Sequence, residues 1–273
     1  MKATGPSIKT SLAFLLAAVA PGAGWCQTAG AQNAAPQQPA PINPDRPNFT
    51  NSPETVAPGR TELEIGYRYT RTGSSKLQEI GDDPTLRMGM TKRFELRLAI
   101  PAYAFEDDPS GTSRGFEDGG VGFKWNLSEG SDKFSWAKPK LGLEFDLTLP
   151  MGDPPFREES AQPTCQLLSE WDFDAADSLG VALGAARPCQ SGQSYNQTVA
   201  TASVSHQFSQ RFTGFVEGFA FLPGDPGGSN DSGFDAGVQY LLSNDAMLDA
   251  IVGTPLVSGS PNYFLGVGIS LRW

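Results

Sequence analysis

The sequence predicts an all-β protein, a transmembrane up-and-down antiparallel β-barrel of about twelve strands. Three observations carry the prediction. Apolar and polar residues alternate with a period of two along most of 60–273. The connections between these stretches are alternately long and short. The last stretch alternates to its final residue, an aromatic.

Composition narrows the class further. The chain has 273 residues, of which 39% are hydrophobic, and a formal net charge of −10. Its one long apolar run, 12–20, lies at the extreme N-terminus, so a helical membrane protein is excluded. An alternating barrel keeps an ordinary average composition while presenting an apolar exterior. The 31 glycines relieve crowding on curved strands, and the 17 phenylalanines suit interfacial girdles. A pI near 4.6 argues against nucleic acid as a partner, because phosphate demands a basic face. The partners expected are outer-membrane lipid and lipopolysaccharide, the barrel assembly machinery and a small-molecule solute.

The chain begins with Lys2 and Lys9, then the apolar run, then small residues at Ala29, Gly30 and Ala31. This is a signal peptide over 1–31, and it implies export to the outer membrane of a bacterium. Cys26 raises the alternative of a lipoprotein, but Trp25 is too large for the small residue required before a lipidated cysteine. Residues 32–44 are Ala, Gln, Pro and Asn without periodicity, a periplasmic lead. Asp45, Arg46, Pro47 and Phe49 follow, and the prolines through Pro58 forbid a ladder strand. The segment 32–59 is therefore a periplasmic lead or a luminal plug: from Asp45 onward it enters the lumen or seals its periplasmic mouth, or else is a turn leading into the first strand.

The barrel domain is assigned to 60–273. Leu63, Ile65, Tyr67 and Tyr69 point one way, with Glu62, Glu64 and Arg68 opposite. Leu86 and Met88 oppose Arg87, while Phe94, Leu96 and Leu98 oppose Glu95 and Arg97. Phe123 and Trp125 oppose Lys124; Leu141, Leu143, Phe145 and Leu147 oppose Lys140, Glu144 and Asp146. Asp235, Asp249 and Arg272 complete the charged set assigned to the lumen. A strand buried in apolar material on both faces could not carry charge at every second place. The stretch around Phe215, Glu217 and Phe219 has ambiguous facing, because its aromatics share a side with a glutamate.

Long connections are expected near 73–83, 106–116, 151–163, 188–194, 223–232 and 254–261. Short ones fall near 91–93, 174–177, 209–211 and 243–245, with 128–138 oversized for that set. Once the leader is removed, Cys165 and Cys189 remain, each toward the long-loop end of its strand. They are a disulfide candidate in an oxidising compartment, with two free thiols as the alternative.

In the last stretch Tyr263, Leu265, Val267, Ile269, Leu271 and Trp273 share one side, with Phe264, Gly266, Gly268 and Ser270 on the other. It resembles the terminal strand of bacterial outer-membrane proteins, where this pattern is the assembly signal. In a soluble sheet the same strand would expose an apolar face and an open edge.

Several motifs resemble one family. They are Asp45-Arg46-Pro47-Asn48-Phe49-Thr50 leading to Val56 and Pro58-Gly59, then Glu62-Leu63-Glu64-Ile65-Gly66-Tyr67. Gly119-Gly120-Val121-Gly122-Phe123-Lys124, Leu149-Pro150-Met151-Gly152-Asp153 and the Tyr263–Trp273 ending extend the match. The chain resembles the outer-membrane barrels labelled for the MetA pathway of phenol degradation, over nearly all of its mature length. Met151 and Trp273 depart from the Thr and Phe usual in that family, without disturbing the strand chemistry. The resemblance implies a transporter barrel linked by name to aromatic-compound metabolism. Similarity to hydrophobic-compound channels with an N-terminal plug supports a luminal place for 45–50.

No catalytic, metal or cofactor site is expected. Ser205 and the one histidine, His206, are neighbours on a strand and point to opposite faces. The expected function is passive passage of a small compound across the outer membrane, with an aromatic or hydrophobic one as the implied class. The alternative is a non-conducting structural or adhesion barrel that acts through its outer loops.

Overall fold

The computed structural model describes residues 40–131, 133–256 and 262–273. The leader at 1–31 and the first part of the lead lie outside these residues.

The chain forms β1 (Thr61–Thr72), β2 (Ser75–Gly89), β3 (Phe94–Ala99), β4 (Tyr103–Asp108), β5 (Gly111–Phe116) and β6 (Gly119–Glu129). Next come β7 (Lys140–Leu149), β8 (Gln162–Asp172), β9 (Asp177–Ala186), β10 (Cys189–Gln190) and β11 (Gln193–Ser194). The last are β12 (Gln197–Ser209), β13 (Phe212–Leu222), β14 (Asp231–Ser243), β15 (Ala246–Pro255) and β16 (Asn262–Arg272). Each wall strand pairs antiparallel with its neighbours, and β1 pairs with both β2 and β16. The ring β1, β2, β3, β6, β7, β8, β9, β12, β13, β14, β15, β16 is closed, so this is a twelve-strand barrel with no free edge in its wall. Trp273 and Thr61 exchange backbone hydrogen bonds of 2.9 and 3.0 Å at the seam.

Two of the expected long loops are strand rather than loop. β1 passes to β2 through the two-residue turn at Gly73 and Ser74, where Gly73 adopts a left-handed φ of 62°. The hairpin β4–β5 occupies 103–116 in the same register as β3–β6, since Ala99 faces Gly120 and Tyr103 faces Phe116. It is one long hairpin, interrupted at 100–102, where Pro101 has no N–H to donate, and at 117–118. Alternation reports the solvent on each face rather than backbone pairing, so it fades where strands rise out of the membrane into water. The long-loop end is thus the end where strands project farthest.

The barrel is polar inside and apolar outside. Val216, Leu183 and Val267 on the outer face are 60%, 56% and 55% exposed, while Glu95 and Lys124 inside are fully buried at 0%. Leu265 and Leu271 share the outer face of β16, and Trp273, just past its end, is exposed as well. A belt this continuous exceeds the few hundred Å² of apolar patch that a soluble monomer tolerates, and hydrocarbon is the solvent it fits. On β13 the ambiguous stretch turns Phe215, Glu217 and Phe219 inward and Val216 outward. Phe215 and Phe219 join Ile251 and Phe264 in an apolar cluster inside the barrel, against which Phe49 and Phe221 pack.

Candidate functional site: the barrel lumen

Residues 40–60 form no strand, so their backbone groups need other partners. Inward-facing side chains of the wall supply them. The N–H groups of Asp45 and Arg46 donate to the two carboxylate oxygens of Glu64, at 3.1 and 2.8 Å. Those of Phe49 and Thr50 donate to Glu217 at 2.8 and 2.7 Å, and the Thr50 hydroxyl donates to the same carboxylate. The Asn51 amide donates to Glu144 at 2.6 Å, and the Val56 N–H to Glu95 at 2.7 Å. The segment returns to the wall where the Gly59 N–H donates to the Gly89 carbonyl at 2.8 Å. Ile42, Asp45, Arg46, Thr50 and Val56 are buried along this course.

Asp45 is the centre of the charge network. Its carboxylate lies 2.7 Å from Lys124 Nζ, 2.6 Å from Arg97 Nη1 and 3.5 Å from Arg87 Nη1. Burial works to raise its pKa, but Arg87, Lys124 and Arg97 together outweigh burial and hold the carboxyl well below the usual range. Glu95, Glu62 and Glu64 pair with Arg87 at 2.9, 3.4 and 2.8 Å. Glu144 lies 3.2 Å from Lys124 and 3.4 Å from Arg97, and Asp146 lies 3.5 Å from Arg97. Such pairs roughly break even against a well-packed apolar core, but losing one partner strands a buried charge at about 3–5 kcal/mol. Their effect here is to specify where 45–56 lies.

Arg46 extends in another direction. Its guanidinium is 2.9 Å from Asp82 and 3.4 Å from Asp249. Burial works to lower its pKa, and Asp249 and Asp82 overcome this to raise it. Gly66 on β1 and Gly268 on β16 face each other in register, and a β-carbon on either would overlap the guanidinium. Arg68 lies 3.1 Å from Asp82 and sits over the rings of Phe49 and Phe264, at 5.6 and 5.4 Å.

Toward the short-turn end, Lys140 pairs with Glu54 and Glu170 at 2.9 and 2.7 Å. Arg272 pairs with Asp245 at 2.9 Å and donates to the Ala40 carbonyl at 2.6 Å. Asp235 is buried opposite Glu217 on the neighbouring strand. Asp82 and Glu217, which hold the segment, are absent from the set that alternation selects. Asp82 falls in a stretch that reads as loop, and Glu217 shares its side with aromatics that pack inward.

Two cavities flank the segment. One, of about 340 Å³, is lined by Asn48, Thr50, Ser178, Gly180, Ser203 and Gln239, among others. The other, of about 410 Å³, is lined by Phe49 and Arg68 and by five carboxylates, Glu79, Asp82, Asp83, Glu117 and Asp118.

The cysteine pairing is corrected by the structure: Cys165 is free and exposed, and Cys189 is free and buried. Cys165 faces Ala185 across the β8–β9 ladder, leaving Cys189 four residues farther along. Beyond the end of β9, the Cys189 N–H donates to the Gln162 side chain at 2.9 Å, three residues along the chain from Cys165. His206 Nδ1 lies 2.7 Å from Asp177 Oδ1, and its ring packs on Phe208, while Ser205 lines the first cavity. Among the described residues no group of three or more His, Cys, Asp or Glu could hold a metal ion.

The fold is shared with solved outer-membrane proteins. The COG4313 outer membrane channel from Pseudomonas putida F1 superposes with a TM-score of 0.59 at 14% identity, over 85% of this chain and 100% of that one. The NanC porin gives 0.54 at 10% identity, over 77% and 98%. The KdgM porin gives 0.50 at 11% identity, over 76% and 98%. No curated protein sequence matches the chain. The closed twelve-strand wall and its apolar belt make this an outer-membrane β-barrel. Residues 44–273 match the family described as "Putative MetA-pathway of phenol degradation", and the chain belongs to that family.

Proposed function

We propose that the protein is an outer-membrane channel for passive passage of a small compound, with residues 40–58 as a plug across its lumen. The observation that carries this reading is the pair of cavities, about 340 and 410 Å³, on either side of a segment bonded to the inner wall. A barrel serving only as a scaffold has no need of water-sized space on both sides of such a segment. The charged residues from Glu62 to Arg272 hold the plug and line the remaining space. The solute class is aromatic or hydrophobic, supported by the family description and by Phe49 and Arg68 on the wall of the larger cavity. The barrel assembly machinery reads the Tyr263–Trp273 ending, and lipid and lipopolysaccharide surround the apolar belt.

A second reading, a non-conducting barrel that works through its outer loops, is favoured by the ion pairs that cross the lumen. Single-channel recording in planar bilayers separates the two. The channel reading expects current from the protein, increased by deleting 40–58. Silence from both proteins, each shown to be folded, would leave the structural reading. Uptake of a panel of aromatic compounds with a sugar control then identifies the solute.

A further inference from the structure

Asn48 is the one residue, among those described, that lines both cavities. The backbone on either side of it is pinned. Before it, the Arg46 N–H donates to Glu64, and the Arg46 carbonyl accepts from the Gln239 amide at 2.8 Å. After it, Phe49 and Thr50 are held on Glu217, and the Phe49 ring lies 4.8 Å from that of Phe219. The Asn48 side chain itself has one long hydrogen bond, from Nδ2 to Ser203 Oγ at 3.3 Å, and its Oδ1 has no partner. The wall it touches differs from the charged side of the lumen. Ser178, Gly180, Ser203 and Ser205 are small and neutral there.

From this we infer that the contact between Asn48 and Ser203 is the constriction of the lumen, through which a small solute bearing a hydrogen-bond donor passes while the rest of the plug stays in place. The inference rests on the channel reading. A side-chain rotation is fast and costs little, whereas lifting the plug would strand Asp45 and Arg46 away from their partners. The unpartnered Oδ1 accepts from a hydroxyl or amine on the solute, and Ser203 offers a second polar group within reach. An apolar molecule without a donor leaves both unsatisfied.

The test is single-channel recording on the full chain, with folding of each variant checked by heat-modifiable migration in gels. Asn48→Gly removes the side chain and keeps the flanking bonds, and it is expected to raise conductance about twofold or more. Asn48→Trp fills the junction and is expected to abolish most of the current. In a Cys165→Ser, Cys189→Ser background, Asn48→Cys is expected to be blocked by a small charged thiol reagent applied from either side. If the variant lacking 40–58 conducts but Asn48→Gly carries the wild-type current, the constriction is elsewhere and the inference falls while the channel reading stands. Blockade from one side only would overturn it equally. If neither the wild type nor the deletion conducts, the channel reading falls and takes the inference with it. Should Asn48→Trp fail to fold, Asn48→Gly and Asn48→Cys decide the matter.

Discussion

Gly66 and Gly268 stand opposite each other across the seam where the first and last strands meet, and Arg46 fills the space their side chains would take. Barrel closure and the placement of the 40–58 segment therefore meet at one point. The guanidinium reaches Asp82 and Asp249 only because both wall positions lack a β-carbon.

Gly66→Val is expected to expel Arg46 and leave Asp82 and Asp249 short of a partner. The cost is about 3–5 kcal/mol, read as an earlier midpoint in urea unfolding from lipid vesicles. Gly268→Val should cost a similar amount. Because both act through one slot, the double variant should lose less than the sum of the two.

Asp45→Asn leaves Lys124, Arg97 and Arg87 clustered without their shared anion. A loss of about 3–5 kcal/mol is expected, together with faster proteolysis of the N-terminal segment in the folded barrel. Adding Lys124→Met removes one of the stranded cations and should restore part of the loss. Equal stability of Asp45→Asn and wild type would show that the network does not hold the N-terminal segment.

The two thiols give a covalent check on strand register. Both Cys165 and Cys189 are expected to titrate as free thiols in the mature, unreduced protein after unfolding, with identical gel migration with and without reductant. Cys165 shares the apolar outer face with Phe145, so in the folded barrel a lipid-soluble maleimide should modify it much faster than a charged one does. A single band shift on reduction would contradict the register of β8 on β9.

The larger cavity carries five carboxylates against the two arginines Arg46 and Arg68. Its field favours cations, so the reversal potential under a salt gradient should lie on the cation-selective side. Glu117→Gln should move it toward zero, with a smaller effect at high ionic strength.

Which features were legible in the chain follows from what each depends on. Leu265 and Val267 fall on one face, and Gly266 and Gly268 on the other, through period-two geometry alone, and burial in the structure follows the same division. The pairing of β1 with β16 is shown by the strand register. The projecting β4–β5 hairpin is not legible, because one of its faces packs on the neighbouring loop, where Ala104 is buried and Gly115 meets Asp153 and Phe156, so alternation has no hydrocarbon contrast to record. The cysteines illustrate the same limit. Their distance from a turn was readable, but the four-residue offset set by register was not.

Alternation along the chain by itself determines that the protein has an apolar outside and a polar inside, because every second side chain must suit one of two solvents. Only the tertiary structure decides that Asp45 meets Lys124 on β6, that Glu217 caps the Phe49 and Thr50 N–H groups, and that Asn48 lies between two cavities. These contacts join residues far apart in sequence across the barrel, Arg46 with Asp249 among them. Their pairing depends on strand register and on which wall residues are small enough to let the segment approach, and neither quantity is carried by a local pattern.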